Sequence, residues 1–139
     1  MRHMSSTAAM WEADVASRTA GVELREVGTG RATARMTVTR DKVQAHGTCH
    51  GGYVFLLADT AFAFACNSYG PVTVAQAADV VFVEPAREGD VLEAVAVERV
   101  RRGRSGVYDV TVRRVGGPGA PGEVVAEFRG HSRVVEVER

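Results

Sequence analysis

Cysteine is scarce in this chain of 139 residues, which contains only Cys49 and Cys66. Small secreted domains that depend on disulfides use more cysteines, so the composition does not indicate a disulfide-stabilised fold. The chain also opens without the apolar segment and small-residue cleavage site of a secretory signal. We therefore expect a reduced, cytoplasmic protein, in which residues 1 to 7 are a disordered start or a remnant of expression.

Net charge is also lacking, because 17 basic and 17 acidic residues cancel. An overall neutral chain gives no sign of a nucleic-acid track. The basic residues are unevenly placed, however, and the segment from Arg99 to Val115 contains six arginines and one acid, Asp109. This distribution predicts a local anion site for a small phosphorylated ligand.

No apolar run is long enough to suggest a membrane partner. The longest extends from Tyr53 to Cys66, and only Asp59 and Thr60 interrupt it. It is shorter than the roughly 20 residues that span a bilayer, and it holds a carboxylate at its middle. Such a run is typical of a helix that is buried on every side. The chain is too short for a second core, so residues 8 to 137 are expected to form one domain.

Strands are predicted on both sides of this helix. Apolar and polar residues alternate between Val22 and Thr39, broken at Gly28-Thr29-Gly30, which indicates a hairpin. Residues 7 to 19 have the spacing of one short amphipathic helix. A long antiparallel sheet can enclose an all-apolar helix only by curving around it, so the predicted fold class is α+β with the hotdog architecture. The remaining β-like runs are Val72 to Val83, Val91 to Val100, Gly106 to Val115 and Glu123 to Val137.

Residues 46 to 68 carry the most specific motif. They read His-Gly-Thr-Cys-His-Gly-Gly-Tyr-Val-Phe-Leu-Leu-Ala-Asp-Thr-Ala-Phe-Ala-Phe-Ala-Cys-Asn-Ser. This motif resembles the signature of the phenylacetic acid degradation thioesterases, a hotdog family that acts on aryl-acetyl coenzyme A esters. Two later blocks, Gly103 to Val110 and Phe128 to Ser132, are similar to the family's downstream strands. The resemblance covers about residues 8 to 135 and implies an acyl-coenzyme A thioesterase.

Asp59 is the candidate catalytic carboxylate. Aspartate has poor helix propensity, and an ionised side chain is costly to bury without a partner, so its place in an apolar helix indicates function. Thioester hydrolysis needs a carboxylate that attacks the carbonyl or takes a proton from water, together with donors that polarise the carbonyl. The alternative is an aspartate that is hydrogen-bonded to a neighbouring loop.

Gly51 and Gly52 stand where the buried helix begins. A helix N-terminus offers unpaired N–H groups and a partial positive charge, and glycine lets a carbonyl approach the backbone. We expect Gly51 to polarise the thioester carbonyl and Gly52 to contact the substrate. The alternative is that the two glycines only turn a tight corner.

Three further polar residues are catalytic candidates. The family likeness implies that His50 borders the carbonyl site or holds the loop, while His46 is interpreted as structural. The family usually has asparagine where this chain has Gln44, and it often has a serine early in the strand after the helix, where this chain has Gln76. The spacing of His46, Cys49 and His50 matches no common zinc set, so no metal ligand is predicted. No cofactor is expected apart from the coenzyme A of the substrate.

The arginine-rich segment is the candidate coenzyme A site. Arginine suits phosphate because its guanidinium presents a fixed fork of donors, and coenzyme A carries a 3′-phosphate and a pyrophosphate. We expect Arg102 and Arg104, with the adjoining Ser105 and Gly106, to bind the substrate. The alternative is a solvated edge strand whose charges protect the sheet.

Two other functions are compatible with the same fold. One is a non-catalytic acyl-coenzyme A-binding protein, and the other is a hotdog dehydratase that acts on hydroxyacyl thioesters. A dehydratase needs a histidine and a carboxylate as a base and acid pair, and Asp59 has no such partner on its helix. The aromatic residues Tyr53, Phe62, Phe64 and Tyr69 could line an aryl pocket, although at helical spacing they are more typical of a core.

The separation of Gly51 and Asp59 predicts a homodimer. They are eight residues apart, which is about 12 Å along a helix. An aspartate side chain that points toward the helix N-terminus recovers only a few ångström of this distance. Two helices packed antiparallel about a twofold axis would bring Gly51 of one chain beside Asp59 of the other. The family resemblance also implies shared sites in a homodimer, doubled to a homotetramer.

Overall fold

The computed structural model describes residues 7 to 116 and 122 to 135. One antiparallel sheet of six strands packs around a long helix, and two short helices precede the sheet. This is the predicted hotdog arrangement. The helices are α1 (Thr7–Ala13), α2 (Val15–Thr19) and α3 (Gly51–Cys66). The strands are β1 (Glu23–Gly28), β2 (Arg31–Thr37), β3 (Thr73–Phe82), β4 (Val91–Arg102), β5 (Ser105–Arg114) and β6 (Val124–Val134).

Two expectations about the chain ends fall partly outside this description. The predicted disordered start covers residues 1 to 6, which lie outside the described residues, and Thr7, which begins α1. The predicted end of the last strand at residues 136 and 137 also lies outside them, and β6 ends at Val134. Among residues 7 to 116 and 122 to 135, no helix combines the length and apolar character of a membrane span.

The strands lie in the order β1-β2-β4-β5-β6-β3. The predicted hairpin between β1 and β2 is confirmed, with Gly28 paired to Arg31 across a turn in which Gly30 has a φ of 69°. That positive φ explains why glycine occupies the turn. β3 pairs only with β6 within the described chain and therefore forms one edge of the sheet.

Small side chains on the inner face of the sheet let α3 lie close to it. Ala32 pairs with Ala96 and Ala34 with Ala94 across β2 and β4, and all four are buried. On β6, a Cβ added to Gly130 would lie 2.7 Å from the Phe62 ring, so glycine makes room for this buried phenylalanine. Burial of a side chain of this size stabilises the fold by roughly 1.5–3 kcal/mol.

The single helix predicted for residues 7 to 19 is wrong, because the chain breaks at Asp14 between α1 and α2. Asp14 has φ −87° and ψ 78°, and its side chain accepts a hydrogen bond from Ser17 N–H at 2.9 Å as the N-cap of α2. Aspartate favours such caps over helix interiors. The apolar residues of this segment do not share one buried face. Trp11 packs edge-on against Phe64, whereas Val15 is 62% exposed.

Two apolar surfaces are incompletely covered within one chain. The first is a stripe of α3 that contains Gly52, Phe55, Leu56, Asp59 and Ala63, none of which is fully buried. The prediction of a helix buried on every side is therefore met only in part by the single chain. The second surface is β3, whose exposed large apolar residues are Val74, Val81 and Phe82, with Val83 directly after the strand.

Candidate active site

An imidazole caps the start of α3. The Nδ1 atom of His50 accepts a hydrogen bond from Gly52 N–H at 2.8 Å, so a neutral ring carries its proton on Nε2. A Cβ at Gly52 would lie 3.0 Å from His50 Nδ1, and glycine leaves room for this cap. His50 thus caps the helix start next to Gly51 and occupies the Gly52 N–H, and its predicted role at the carbonyl site or in holding the loop remains a prediction. The predicted contact between Gly52 and the substrate remains a prediction.

The backbone N–H of Gly51 is the available donor at this helix start. It forms no hydrogen bond with any residue in the described part of the chain. The N-terminal end of a helix carries a partial positive charge, so this N–H is suited to a developing oxyanion. A Cβ at Gly51 would lie 3.0 Å from the Phe82 ring, which explains the glycine. Phe82 was not predicted as a site residue from the sequence, because only the folded sheet brings the end of β3 beside α3.

The loop before α3 is held by Gln44. Its Nε2 atom donates to Thr48 Oγ1 at 2.6 Å, its Oε1 atom accepts from His46 N–H, and its backbone N–H donates to Thr48 O at 2.8 Å. The loop is tied to the preceding turn because His50 N–H donates to Lys42 O at 2.8 Å. Both ends of the Gln44 amide are therefore engaged within the loop, and its predicted contact with a carbonyl or water remains a prediction.

Asp59 lies midway along α3, on the partly covered stripe. Its carboxylate forms no hydrogen bond or ion pair with the residues that the structure describes, so the alternative of a loop-bonded aspartate finds no support. Burial raises the pKa of Asp59, and the negative charge of Asp14 raises it further. A carboxyl group with a raised pKa is a stronger base once it is ionised.

The arginine candidates lie at the opposite end of α3 from Gly51. Arg102 ends β4 and pairs with Ser105 at the start of β5. Arg104 and Ser105 line a small cavity together with Cys66, the last residue of α3. The hairpin tip is therefore at the C-terminal end of the helix, and one chain does not bring it beside Gly51.

Gly106 and Gln76 are two further predicted site residues, and they lie in different surroundings. Gly106 is buried, and a Cβ there would lie 2.7 Å from Ser132 Oγ and 3.0 Å from the Tyr108 ring, so the structure gives this glycine a packing role. Gln76 is exposed on β3 at a register shift between Ala75 and Ala77. The predicted substrate contact of Gly106 and the water-positioning role of Gln76 remain predictions.

Both cysteines are structural. Burial raises the pKa of Cys66 to about 12 and also raises the pKa of Cys49. The thiolate is the nucleophilic form, so neither thiol is a candidate nucleophile near neutral pH. Within residues 7 to 116 and 122 to 135, no group of three or more His, Cys, Asp or Glu side chains could hold a metal ion.

Of the aromatic pocket candidates on α3, Phe62 and Phe64 belong to the core, whereas Tyr53 is partly buried near the helix start. Phe62 and Phe64 are each 1% exposed, and Phe62 packs edge-on against Tyr108. Tyr69 instead donates a hydrogen bond to Glu98 at 2.6 Å. The apolar space beside Gly51 lies elsewhere, in an open pocket of about 360 Å³ whose lining includes Val54, Phe82, Val83, Ala86 and Val125.

Known proteins share this chain's sequence pattern and its fold. Residues 46–120 match the thioesterase superfamily. The chain belongs to the thioesterase superfamily. Acyl-coenzyme A thioesterase PaaI of Escherichia coli (strain K12) is 40% identical over 124 residues, which are 89% of this chain and 85% of that protein. The resemblance found in the sequence and the prediction of a thioesterase are thereby confirmed.

Two solved structures of similar proteins share the fold. The E. coli PaaI protein from the phenylacetic acid degradation operon superposes with a TM-score of 0.89 at 38% identity, covering 96% of this chain and 93% of its own. A mutant of the phenylacetic acid degradation protein PaaI from Thermus thermophilus superposes with a TM-score of 0.79 at 33% identity, covering 86% of this chain and 97% of its own.

Proposed function

We propose that this thioesterase hydrolyses aryl-acetyl coenzyme A thioesters, of the hydroxylated phenylacetyl type, to the free acid and coenzyme A. The observation that carries this proposal is Asp59, a half-buried carboxylate without a described partner in the middle of an apolar helix. The identity with E. coli PaaI, named as an acyl-coenzyme A thioesterase, supports the substrate class.

In the proposed reaction the N–H of Gly51 polarises the thioester carbonyl while Asp59 acts in one of two ways. As a general base it takes a proton from water, the oxygen of that water attacks the carbonyl, and the C–S bond breaks. As a nucleophile it forms an acyl-aspartyl anhydride with loss of the thiolate, and water then hydrolyses the anhydride. A thiol has an ordinary pKa near ~8.5, so the thiolate departs without a strong acid.

The site needs a second chain in this proposal. Gly51 is the first residue of α3 and Asp59 the ninth, so about 12 Å of helix separates them. The partly covered stripe of α3 and the unpaired edge of β3 are surfaces that a second copy could bury. An antiparallel pair would place Gly51 of one chain beside Asp59 of the other, in a homodimer that could double to a homotetramer.

The same pairing gives the arginine hairpin a role. The tip with Arg102 and Arg104 lies at the C-terminal end of its own α3, on the side of Asp59 from which the loop before the partner's α3 would arrive in an antiparallel dimer. The nucleotide phosphates would then bind to the chain that supplies Asp59, while the partner's Gly51 holds the carbonyl. The apolar pocket beside Gly51, lined by Val54 and Phe82, is suited to an aryl group.

A panel of aryl and aliphatic coenzyme A esters, assayed with a thiol-trapping dye, tests the reaction. Release of free thiol separates a hydrolase from an acyl-coenzyme A-binding protein, and from a dehydratase, which leaves the thioester intact. Turnover should be fastest with phenylacetyl-type esters. Equal or faster turnover of aliphatic esters would contradict the proposed acyl group.

The role of Asp59 is tested by Asp59→Asn, which keeps the shape of the side chain. We expect turnover to fall by at least ~10²-fold while the protein stays folded, because the base or nucleophile is lost. Glu88→Gln, in the exposed connection after β3, is the charge-matched control and should retain normal turnover. Turnover of Asp59→Asn above roughly a third of wild type would exclude the role.

A further inference from the structure

The turn between α1 and α2 lies against the middle of α3. Ser17 and Thr60 are both buried, and their side-chain oxygens are hydrogen-bonded at 2.8 Å. Six residues before Ser17, Trp11 of α1 packs edge-on against Phe64 with ring centroids 5.8 Å apart. These two contacts, on either side of Asp14, hold the turn in place over the helix.

Asp14 is the charged residue of this turn. Its Oδ1 atom accepts the hydrogen bond from Ser17 N–H at 2.9 Å, and the same Ser17 contacts Thr60, which directly follows Asp59. The N-terminus of a helix favours a negatively charged side chain. Asp14 is therefore linked through the buried Ser17–Thr60 hydrogen bond to the turn of α3 that carries Asp59, and neither carboxylate forms an ion pair with a cation among the described residues.

The other elements that pack on α3 supply little competing charge. The inner faces of β2, β4, β5 and β6 are lined mostly by apolar or small residues. Their titratable groups are the buried Tyr108 on β5 and the half-buried Glu98 on β4, whose carboxylate accepts a hydrogen bond from Tyr108 at 3.3 Å. Cys66 lies two turns further along α3. The charged residues of the two edge strands are exposed, namely Glu23, Arg25 and Glu26 on β1 and Asp79 on β3. Burial raises the pKa of Asp59 most, and the charge that adds to this effect is that of Asp14.

We propose that Asp14 is a positioning residue for Asp59, whose negative charge adds to the effect of burial and raises the pH at which the Asp59 carboxylate becomes active. This inference rests on the proposed function of Asp59. Asp14 does not touch the substrate in this scheme. It acts on the strength of the base, since a carboxylate that ionises at higher pH accepts a proton more readily.

The test is Asp14→Asn, because asparagine is as good an N-cap as aspartate and only the charge is removed. The acid limb of the kcat/KM profile, normalised to its plateau, should move to lower pH. The midpoint of the Asp59 carboxyl titration, followed by ¹³C NMR in the full-length protein, should move in the same direction. Asp14→Ser, a second uncharged N-cap, should reproduce both shifts.

Glu12→Gln is the matched control, since it removes one negative charge from an exposed side chain two residues from Asp14 and leaves the cap intact. It should move neither the acid limb nor the titration midpoint. If Asp14 has a purely structural role, Asp14→Asn will also leave the acid limb and the titration midpoint unchanged. This result would overturn the inference. If the titration midpoint shifts but the protein does not hydrolyse coenzyme A esters, the electrostatic coupling between Asp14 and Asp59 stands and the proposed function is rejected.

Discussion

Asp59 shows, at the scale of one residue, how a proposed catalytic group can oppose stability. The carboxylate is half-buried on an apolar helix, has no described partner and faces the charge of Asp14. Taking such a group out of water disfavours its ionised form. The burial that would make Asp59 a stronger base in the proposed reaction therefore costs folding free energy at neutral pH.

This cost predicts a pH-dependent effect of Asp59→Asn on stability. The folded protein holds the Asp59 proton to a higher pH than the unfolded chain, in which the ordinary pKa is 3.8. Stability from this group is thus fully present below pH 3.8 and is lost as the pH rises through the folded pKa. We expect Asp59→Asn to melt at a higher temperature than wild type at pH 7, with the gap closing toward pH 4.

Thermal unfolding at one fixed protein concentration measures this difference, because association would otherwise change the midpoint. Glu88→Gln should follow the wild-type melting temperature at both pH values, since that side chain is exposed. An Asp59→Asn protein that melts at or below the wild-type temperature at pH 7 would contradict the expected cost of ionisation.

The sequence was informative about residues that break a local rule. A carboxylate inside an apolar run and a pair of glycines at its start are visible without a structure, so Asp59 and Gly51 could be selected directly. Asp14 and Phe82 could not be selected in this way. Asp14 is 45 positions from Asp59, and Phe82 is 31 positions from Gly51, so only the fold brings either of them near α3. The packing role of Gly106 likewise depends on Ser132 of a neighbouring strand.

At the scale of elements, the hairpin between β4 and β5 carries the proposed phosphate contacts. Replacing Arg102 and Arg104 together by alanine should raise KM for coenzyme A esters by about tenfold or more, since a hydrogen bond to a charged group contributes ~1.5 kcal/mol or more. KM for a pantetheine ester without the nucleotide should change little, because uniform binding of the phosphates acts on KM.

Arg113→Ala is the control for this hairpin, since it removes an exposed positive charge from the other end of β5. Steady-state kinetics with both substrates would show it close to wild type. If the double variant raised KM equally for the coenzyme A and pantetheine esters, the phosphate contact would be rejected. The arginines could not then be edge-strand charges, the alternative predicted from the sequence, because β4 and β5 lie inside the sheet, and they would be solvated charges at a hairpin tip.

The starts of strands were predictable where apolar and polar residues alternate clearly along the sequence. Each of β3, β4, β5 and β6 begins within one residue of the predicted run, since alternation and turn residues mark strand starts in the sequence. The predicted helix over residues 7 to 19 failed for a local reason. Spacing alone cannot show that the Asp14 side chain caps a new helix, because the same residue at the same spacing also fits a continuous one.

At the scale of the whole molecule, the distance along α3 requires two chains for one proposed site. The partly covered stripe of α3 was not anticipated from the sequence, in which every face of the helix is apolar. Hydropathy does not distinguish burial by the chain's own sheet from burial by a second copy. The stripe and the edge strand β3 are the structural reasons to expect that copy.

The shared site predicts complementation between two inactive variants. Asp59→Asn and a bulky substitution such as Gly51→Leu, unfolded together in equal amounts and refolded, should give hybrid dimers. One site of each hybrid would carry both defects and the other neither, so activity should return to about a quarter of wild type if chains pair at random. Thiol release by the refolded mixture measures the recovery.

Each variant refolded alone provides the baseline and should stay inactive. Hybrid formation can be followed separately by mass spectrometry of differently tagged chains. If hybrids form and the mixture remains as inactive as its parents, Asp59 acts on a carbonyl that is held by its own chain, and the antiparallel pairing is wrong.

The free edge of β3 has a consequence for the chain before it finds a partner. Residues Val80 to Val83 are uncharged and rich in β-branched and aromatic side chains, which is the composition of segments that nucleate amyloid-like stacking. Asp79 precedes them and Glu84-Pro85 follows, and a charge or proline at such flanks obstructs strand addition. After a chain has folded and before a second copy covers the edge of β3, these three flanking residues should therefore slow the aggregation of single chains.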